Sequence, residues 1–506
     1  MSNTSVSKKY LDDFIGDGDS ASAIINRRLA ATIDGNEELV KVITEGMNGV
    51  AGVITPKGYE AVAFTVVGDV SKRDPLEYIA SAVRNVTKQS KILGVTPVGF
   101  SDNLDVYSND LPFIEEIANV LTDETLKQRS QGFTFSGLNG ECAILPGVVS
   151  EETKTNISIT VVGYRKHNDI PQNPISQIEN GIQIVRFNPK GKLIYMNSDG
   201  VGTKPLNHVR RAEINGDKYL AAGYDDEAAM RRDDSAKIAA RVIASFSVLE
   251  TRGDISLKFF QERAKQSDKT SKIQQVLLEE KVGDRILGYK HGARAYSLGG
   301  TNICIIDEQR LKKQLIPNIG DRLIVIQNPI PNPRSNGISA LRQIAEEMYG
   351  SDWHKHPEAK YLIEYLSSPS TILYPLFMDL IQNELATAVY HMSGGALNGK
   401  LAKPLLKHGL HASIDNLFPL SYAQEKIIEF SKTPLKNSFA IWPNNNEAYV
   451  TASAANADLA MAIIRDFGLN FIDAGRIEKA ENGIGVTLNK ILDSAGAPIT
   501  YTGGKF

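Results

Sequence analysis

Cysteine and tryptophan are almost missing from this chain, with two of each among 506 residues. Two thiols, Cys142 and Cys304, are too few for a disulfide framework and too far apart for a local CxxC metal or redox motif. A reducing cytosol is the expected home. An excess of one charge is lacking too: the formal net charge is −3, which leaves no basic footprint for nucleic acid. No apolar run reaches about twenty residues, so no membrane-spanning helix is expected. The first thirty residues, with Lys8, Lys9 and several aspartates, lack the basic-then-apolar profile of a secretory signal. His354, His356, His408 and His411 share no ligand spacing with an acid or a cysteine, which argues against a zinc site.

What is present reads as an ordinary globular chain, 42% hydrophobic and 23% charged, long enough for roughly two to four domains. Residues 59–67 and 157–164 have strand composition, and 75–89 space Leu76, Ile79, Ala80, Val83 and Val86 along one helical face. A strand is predicted over 92–100, ending at Ser101-Asp102-Asn103, and a helix over 111–126. The turn-rich segment 168–173 suits a boundary. Further on, helices are predicted at 235–250, with Asp233 or Asp234 as its N-cap, around 272–280, at 338–348 and at 454–467. A short strand is predicted at 439–441. Alternating helices and strands argue for helices covering a sheet.

The most informative stretch is 191–206, GKLIYMNSDGVGTKPL. A strand-like run ends at Asp199, and Gly200 and Gly202 flank one valine before Lys204. Glycines free the backbone to present amide donors to a phosphate, Lys204 is a point charge beside them, and Asp199 is a hard oxygen ligand for Mg²⁺. The spacing differs from GxxxxGK[ST], and the same residues also suit a tight hairpin with a surface lysine. Asp17-Gly18-Asp19 puts two carboxylates on one side of a turning segment, where they suit either Mg²⁺ or the cap of the following helix. Glu141 ends a Gly-flanked strand. Ser335-Asn336-Gly337 opens a helix whose N-terminus suits an anion, and His391 stands just before Gly394 and Gly395.

Four of these stretches carry a resemblance. SDGVGTKPL resembles the DGVGTK motif of the aminoimidazole ribonucleotide synthetase (phosphoribosylformylglycinamidine cyclo-ligase) family. Residues 10–29 resemble its opening acidic segment, 320–345 its SNG-headed helix, and 386–405 its HITGGG loop. The resemblance implies an α+β, two-domain fold of mixed sheets covered by helices. The corresponding division is an ATP and metal segment at 1–49, an inserted or duplicated α/β region at 50–173, an amino-terminal-like domain at 174–319 and a carboxyl-terminal-like domain at 320–506. It further implies ATP and Mg²⁺, a nucleotide substrate, a homodimer, and ring closure of formylglycinamidine ribonucleotide in purine biosynthesis. Carried over residue by residue, Lys204, His391 and Asp199 are catalytic. Gly200, Gly202, Thr203, Asp234, Glu141, Ser335, Asn336, Gly394 and Gly395 bind nucleotide, and Asp17, Asp19 and Asp199 bind metal.

The chain departs from the family in order. Its GECAILPG segment at 140–147 precedes Asp199, whereas the family's GGETAEMPG-like strand follows the DGVGTK strand. A GARAYSLGGT segment at 292–301 stands where that strand belongs but has no glutamate. Pro329, Pro331 and Pro333 stiffen the SNG loop, and residues 441–446 replace a glycine-and-arginine segment. Related ATP-dependent enzymes acting on another substrate, and a non-catalytic nucleotide-binding protein, are the competing expectations.

Overall fold

The computed structural model describes residues 18–42, 51–145, 148–271, 273–281, 287, 294–309 and 315–504. One compact unit holds the described residues of Gly16–Leu206 and Ala240–Lys313; the other holds those of Asn207–Ala239 and Gln314–Phe506. Both are mixed sheets covered by helices, so the chain is α+β, as expected. Among the described residues no helix is long and apolar enough to cross a membrane.

The described residues of the first unit form twelve strands. They are β1 (Val40–Val42), β2 (Ala51–Val53), β3 (Tyr59–Val67), β4 (Thr96–Val106), β5 (Ser136–Ile144), β6 (Thr155–Lys166), β7 (Ile175–Glu179), β8 (Ile182–Phe187), β9 (Leu193–Gly200), β10 (Arg241–Arg252), β11 (Gln274–Lys281) and β12 (Ala295–Ile306). They form two six-stranded sheets with one topology. The orders are β7-β8-β3-β6-β4-β5 and β1-β2-β9-β12-β10-β11, so in each sheet a hairpin borders the first long strand, followed by the fourth, second and third. The directions match as well: β4 is parallel to β5 as β10 is to β11, and the other ladders are antiparallel. The hairpins are exchanged. β2 leads through Pro56-Lys57-Gly58 into β3 but pairs with β9, while β8 leads through Pro189-Lys190-Gly191 into β9 but pairs with β3. Both Pro-Lys-Gly turns close with a bond to the proline carbonyl and need glycine for positive φ, 84° at Gly58 and 74° at Gly191.

Three helices, α1 (Gly18–Leu29), α2 (Pro75–Leu93) and α3 (Leu111–Ser130), cover the first sheet. Helix α2 starts where the Asp74 side chain accepts the Glu77 amide at 2.8 Å beside Pro75, and stops at Gly94 in the left-handed conformation. Strand alternation then sorts the cores. Val62, Phe64 and Val66 face α1–α3, whereas Ala61 and Ala63 join Val98, Val162, Ile194, Met196, Phe246 and Ile303 in a core shared by both sheets. In the second sheet α4 (Pro205–Asn215) and α5 (Ala222–Ala236) intervene between β9 and β10, and α6 (Leu257–Ser271) between β10 and β11.

The second unit has a seven-stranded sheet of β13 (Arg322–Gln327), β14 (Ala388–His391), β15 (Leu410–Ile414), β16 (Ala448–Ala452), β17 (Asn470–Lys479), β18 (Val486–Leu492) and β19 (Pro498–Tyr501), in the order β14-β16-β13-β17-β15-β18-β19. Around it lie α7 (Ile338–Tyr349), α8 (Tyr374–Gln382), α9 (Leu435–Ile441) and α10 (Ala457–Asp466).

Several expectations are corrected. The helix predicted at 235–250 is instead the end of α5 followed by β10, so Asp233 and Asp234 lie in a last helical turn and cap nothing at its start. Strand β10 is buried on both faces, which hides its alternation, and the stop is made by Ala239 at φ 56° rather than by a glycine. Residues 274–281 are a strand, and 439–441 end a helix. The first sheet crosses the boundary expected at 173, because β7–β8 completes the edge of β3, and residues 207–239 group with the second unit.

Candidate functional site

The predicted site residues fall into two groups, one in each unit. In the first, Asp199 ends β9 partly exposed, and its Oδ1 accepts the Gly200 amide at 2.7 Å. Gly202 takes φ 65°, and space is open where its Cβ would stand, so this glycine is required by its conformation. At Gly200 a Cβ would meet only ordinary contact, 3.5 Å from Asn103 Oδ1. Thr203 and Lys204 follow in a turn, both buried, Lys204 fully. The hairpin with a surface lysine is therefore excluded.

Half-buried Glu141 lies on β5 beside its register partner Asn103 on β4, whose carboxamide lies over Gly200 and Gly299. Strand β5 is tied to β9 by the Asn139 side chain donating to the Met196 carbonyl, and Ser101 Oγ lies 2.6 Å from Ser198 Oγ. The packing of one sheet on the other thus carries Glu141 to the end of β9 where Asp199 stands, despite their inverted order in the chain. On the opposite face of β4, Asp102 is fully buried against Gly140, and neither of its carboxylate oxygens is hydrogen-bonded to another described residue. Burial raises that carboxyl to about 7. Asp17 lies outside the described residues, and Asp19 lies in α1.

In the second unit the expected residues do meet. His391 ends β14 with Nε2 3.0 Å from Ser393 Oγ and 3.6 Å from Asp234 Oδ1. Asn336 Nδ2 donates to the Ser393 carbonyl at 2.6 Å, fastening the SNG turn to the Ser393-Gly394-Gly395 turn. Three buried polar atoms here have no hydrogen-bond partner among the described residues: His391 Nδ1, Ser335 Oγ and Asn336 Oδ1. Buried polar groups are ordinarily satisfied, so three unmet atoms around two turns are open to a polar partner, either water or a ligand. The backbone is strained at the same place. Arg334 and Ser335 have φ of 47° and 54°, and Ala396 has φ 37°.

Charge sets the state of these groups. Burial, then Lys237, holds the His391 imidazole well below its usual pKa, against the pull of Asp234. That direction favours the uncharged imidazole at neutral pH. Burial works to raise the Asp234 carboxyl, but the Lys237 and Lys400 ammonium groups outweigh it and hold it below the usual carboxylate range.

No family model matches the chain. The chain is 22% identical over 309 residues to the phosphoribosylformylglycinamidine cyclo-ligase of Streptococcus pneumoniae, covering 58% of this chain and 82% of that protein. A second strain's enzyme is 23% identical over 310 residues. Among solved structures, thiamine-monophosphate kinase from Stenotrophomonas maltophilia overlaps 62% of this chain and 90% of its own at 14% identity and TM-score 0.41. PurL of T. maritima, complexed with FGAR, overlaps 62% and 45% at 11% identity and TM-score 0.39. These overlaps are partial and carry no weight for the chemistry.

Sequence reasoning passed over Lys237, Lys400, Arg334 and Asp102. Lys237 lies three residues from Asp234, a spacing that makes neighbours on a helix and was available as a signal. For Mg²⁺, the described residues contain no group of three or more metal-ligating side chains. Under a triphosphate that ion takes only one or two protein carboxylates, so a larger cluster is not required of the site.

Proposed function

We propose that the chain is an ATP-dependent enzyme and, more specifically, a cyclo-ligase that closes the imidazole ring of formylglycinamidine ribonucleotide. The observation that carries this reading is the set of three unsatisfied polar atoms around neutral His391, held between the SNG and Ser-Gly-Gly turns that resemble the family's. The distant similarity to phosphoribosylformylglycinamidine cyclo-ligases supports it. In this reading ATP phosphorylates the formyl amide oxygen, which makes that oxygen a leaving group when a neighbouring nitrogen closes the ring. The protein's part is positioning and charge complementarity. Within the first unit, Lys204 would meet phosphate and Asp199 and Glu141 would hold Mg²⁺; within the second, Ser335, Asn336 and the Gly394-Gly395 amides would bind the nucleotide substrate and His391 would polarise its amide.

The test mixes the protein with formylglycinamidine ribonucleotide, ATP and Mg²⁺ and follows ADP and the imidazole product, with Asp199→Asn as control. Both products appearing together, and both vanishing in the variant, is the expected result. ADP released without imidazole moves the reading to a related enzyme acting on another substrate. Nucleotide bound without turnover moves it to a non-catalytic binding protein.

A further inference from the structure

We infer that the two sheets of the first unit are an interlocked internal duplication that builds one composite nucleotide site within a single chain, the second equivalent position having been closed. This rests on the nucleotide-binding reading above and specifies its stoichiometry and its parts.

The equivalence of the repeats is carried by side chains as well as topology. Aligning the two Pro-Lys-Gly turns matches Thr65 with Ser198. Thr65 is hydrogen-bonded to its register partner Thr160 at 2.9 Å, and Ser198 to its register partner Thr301 at 2.6 Å. The same alignment, followed through the ladders, matches Asp105 and Asn156 with Glu250 and Ser297. These four cross between repeats: Ser297 Oγ donates to Asp105 Oδ2 at 3.2 Å, and Asn156 Nδ2 donates to Glu250 Oε2. Such reciprocal contacts, in which i meets j and j meets i, are the mark of an isologous two-fold interface, here folded into one polypeptide.

The nucleotide-binding parts do not obey the symmetry. Asp199 of the second repeat corresponds to Val66 of the first, and Gly140-Glu141 of the first corresponds to Leu277-Leu278 of the second. Each repeat has kept what the other lost. The retained parts fall at one place, because Asn103 joins Glu141 to the Asp199 loop. At the other place Tyr78 fills the space: a Cβ on Gly68 would stand 2.4 Å from its ring, and its hydroxyl is bonded to Asn156 at 3.0 Å. The homodimer implied by the family resemblance is, on this inference, already present inside one chain.

Two measurements on the full chain test this. A Ser101→Cys, Ser198→Cys variant is oxidised and mapped by peptide mass. The parent hydroxyls are 2.6 Å apart, so a 101–198 disulfide within single chains is expected. Disulfide-linked dimers, or no 101–198 disulfide, overturn the inference. Equilibrium dialysis with labelled ATP and Mg²⁺ then expects one nucleotide per chain. Glu141→Gln and Asp199→Asn, each checked for native folding by circular dichroism, are both expected to weaken binding at least about tenfold. Two nucleotides per chain, or binding indifferent to Glu141→Gln, sinks the composite site and leaves the nucleotide reading standing. No binding by the parent protein sinks both.

Discussion

Arg334 Nη2 lies 2.8 Å from Asp233 Oδ2, and neither side chain has any solvent exposure. The same guanidinium donates to the Thr371 carbonyl at 2.9 Å and to the Met392 carbonyl, and reaches Glu447 at 3.4 Å. Asp233 in turn accepts the Leu373 amide at 2.9 Å. One planar cation thus fixes the approach to α8, the residue after His391 and the SNG turn together. Arg334→Met strands two buried carboxylates and is expected to cost about 3–5 kcal/mol. Arg334→Lys is expected to recover little, because an ammonium lacks the fork that reaches four acceptors. Urea unfolding of the three proteins decides it, and a lysine variant as stable as the parent refutes the account.

Gly299 faces Asn103 across the two sheets, and a methyl on Gly299 would stand 1.9 Å from Asn103 Nδ2. Gly299→Ala is expected to destabilise the chain by roughly 1–3 kcal/mol. In an Asn103→Ala background the same change should be nearly free, giving a coupling energy on the order of 1 kcal/mol or more. Additive effects in the double variant would show that the sheets do not meet there.

His391 offers a titration. Its folded-state pKa lies below the ordinary value of 6.5, so on acidification the unfolded chain takes up the proton first. The stability this residue contributes is complete above pH 6.5 and is lost as the pH falls from there towards the folded-state pKa. After burial, Lys237 is the largest cause of the depression, so Lys237→Met is expected to raise the His391 pKa, read from its imidazole resonances. An unchanged or lowered value contradicts the electrostatics of the site.

The buried carboxyl of Asp102 has the opposite sign. Raised to about 7 from 3.8, it keeps its proton in the folded chain while the unfolded chain gives it up. Its contribution is full at pH below about 4 and is lost as the pH rises towards 7. Asp102→Asn removes that dependence, so the variant should gain stability relative to the parent across this window, by up to about 4 kcal/mol. A stability difference that stays flat with pH would mean that Asp102 is already ionised in the folded chain, held by a charge or an ion.

Much of this was legible beforehand. The strand β6 and the helix α2 declare themselves by composition and apolar spacing, and the SNG and Ser-Gly-Gly turns were visible because a loop motif keeps its residues adjacent in sequence. β10 was not legible, since a strand buried on both faces has no alternation to read and Ala239 gives no hint of the left-handed turn before it. The pairing of Glu141 with the Asp199 loop was hidden for another reason. It depends on which sheet lies over which, and no local pattern encodes that. Arg334 reads as a surface cation until its four acceptors, drawn from four separate segments, are counted.

The exchanged hairpins also set an order of events at the ribosome. The β8 strand can pair with β3 as soon as it emerges, because β3 has already been made. β2 has no such luck: Val53 must wait for Ile194, about 140 residues later, which at usual elongation rates is on the order of ten seconds. During that interval the first sheet can be complete while β1 and β2 still lack their neighbour. A nascent chain stalled between the two repeats would therefore present an unpaired hairpin and invite pairing with another nascent chain, which makes translation speed through residues 188–200 a determinant of yield.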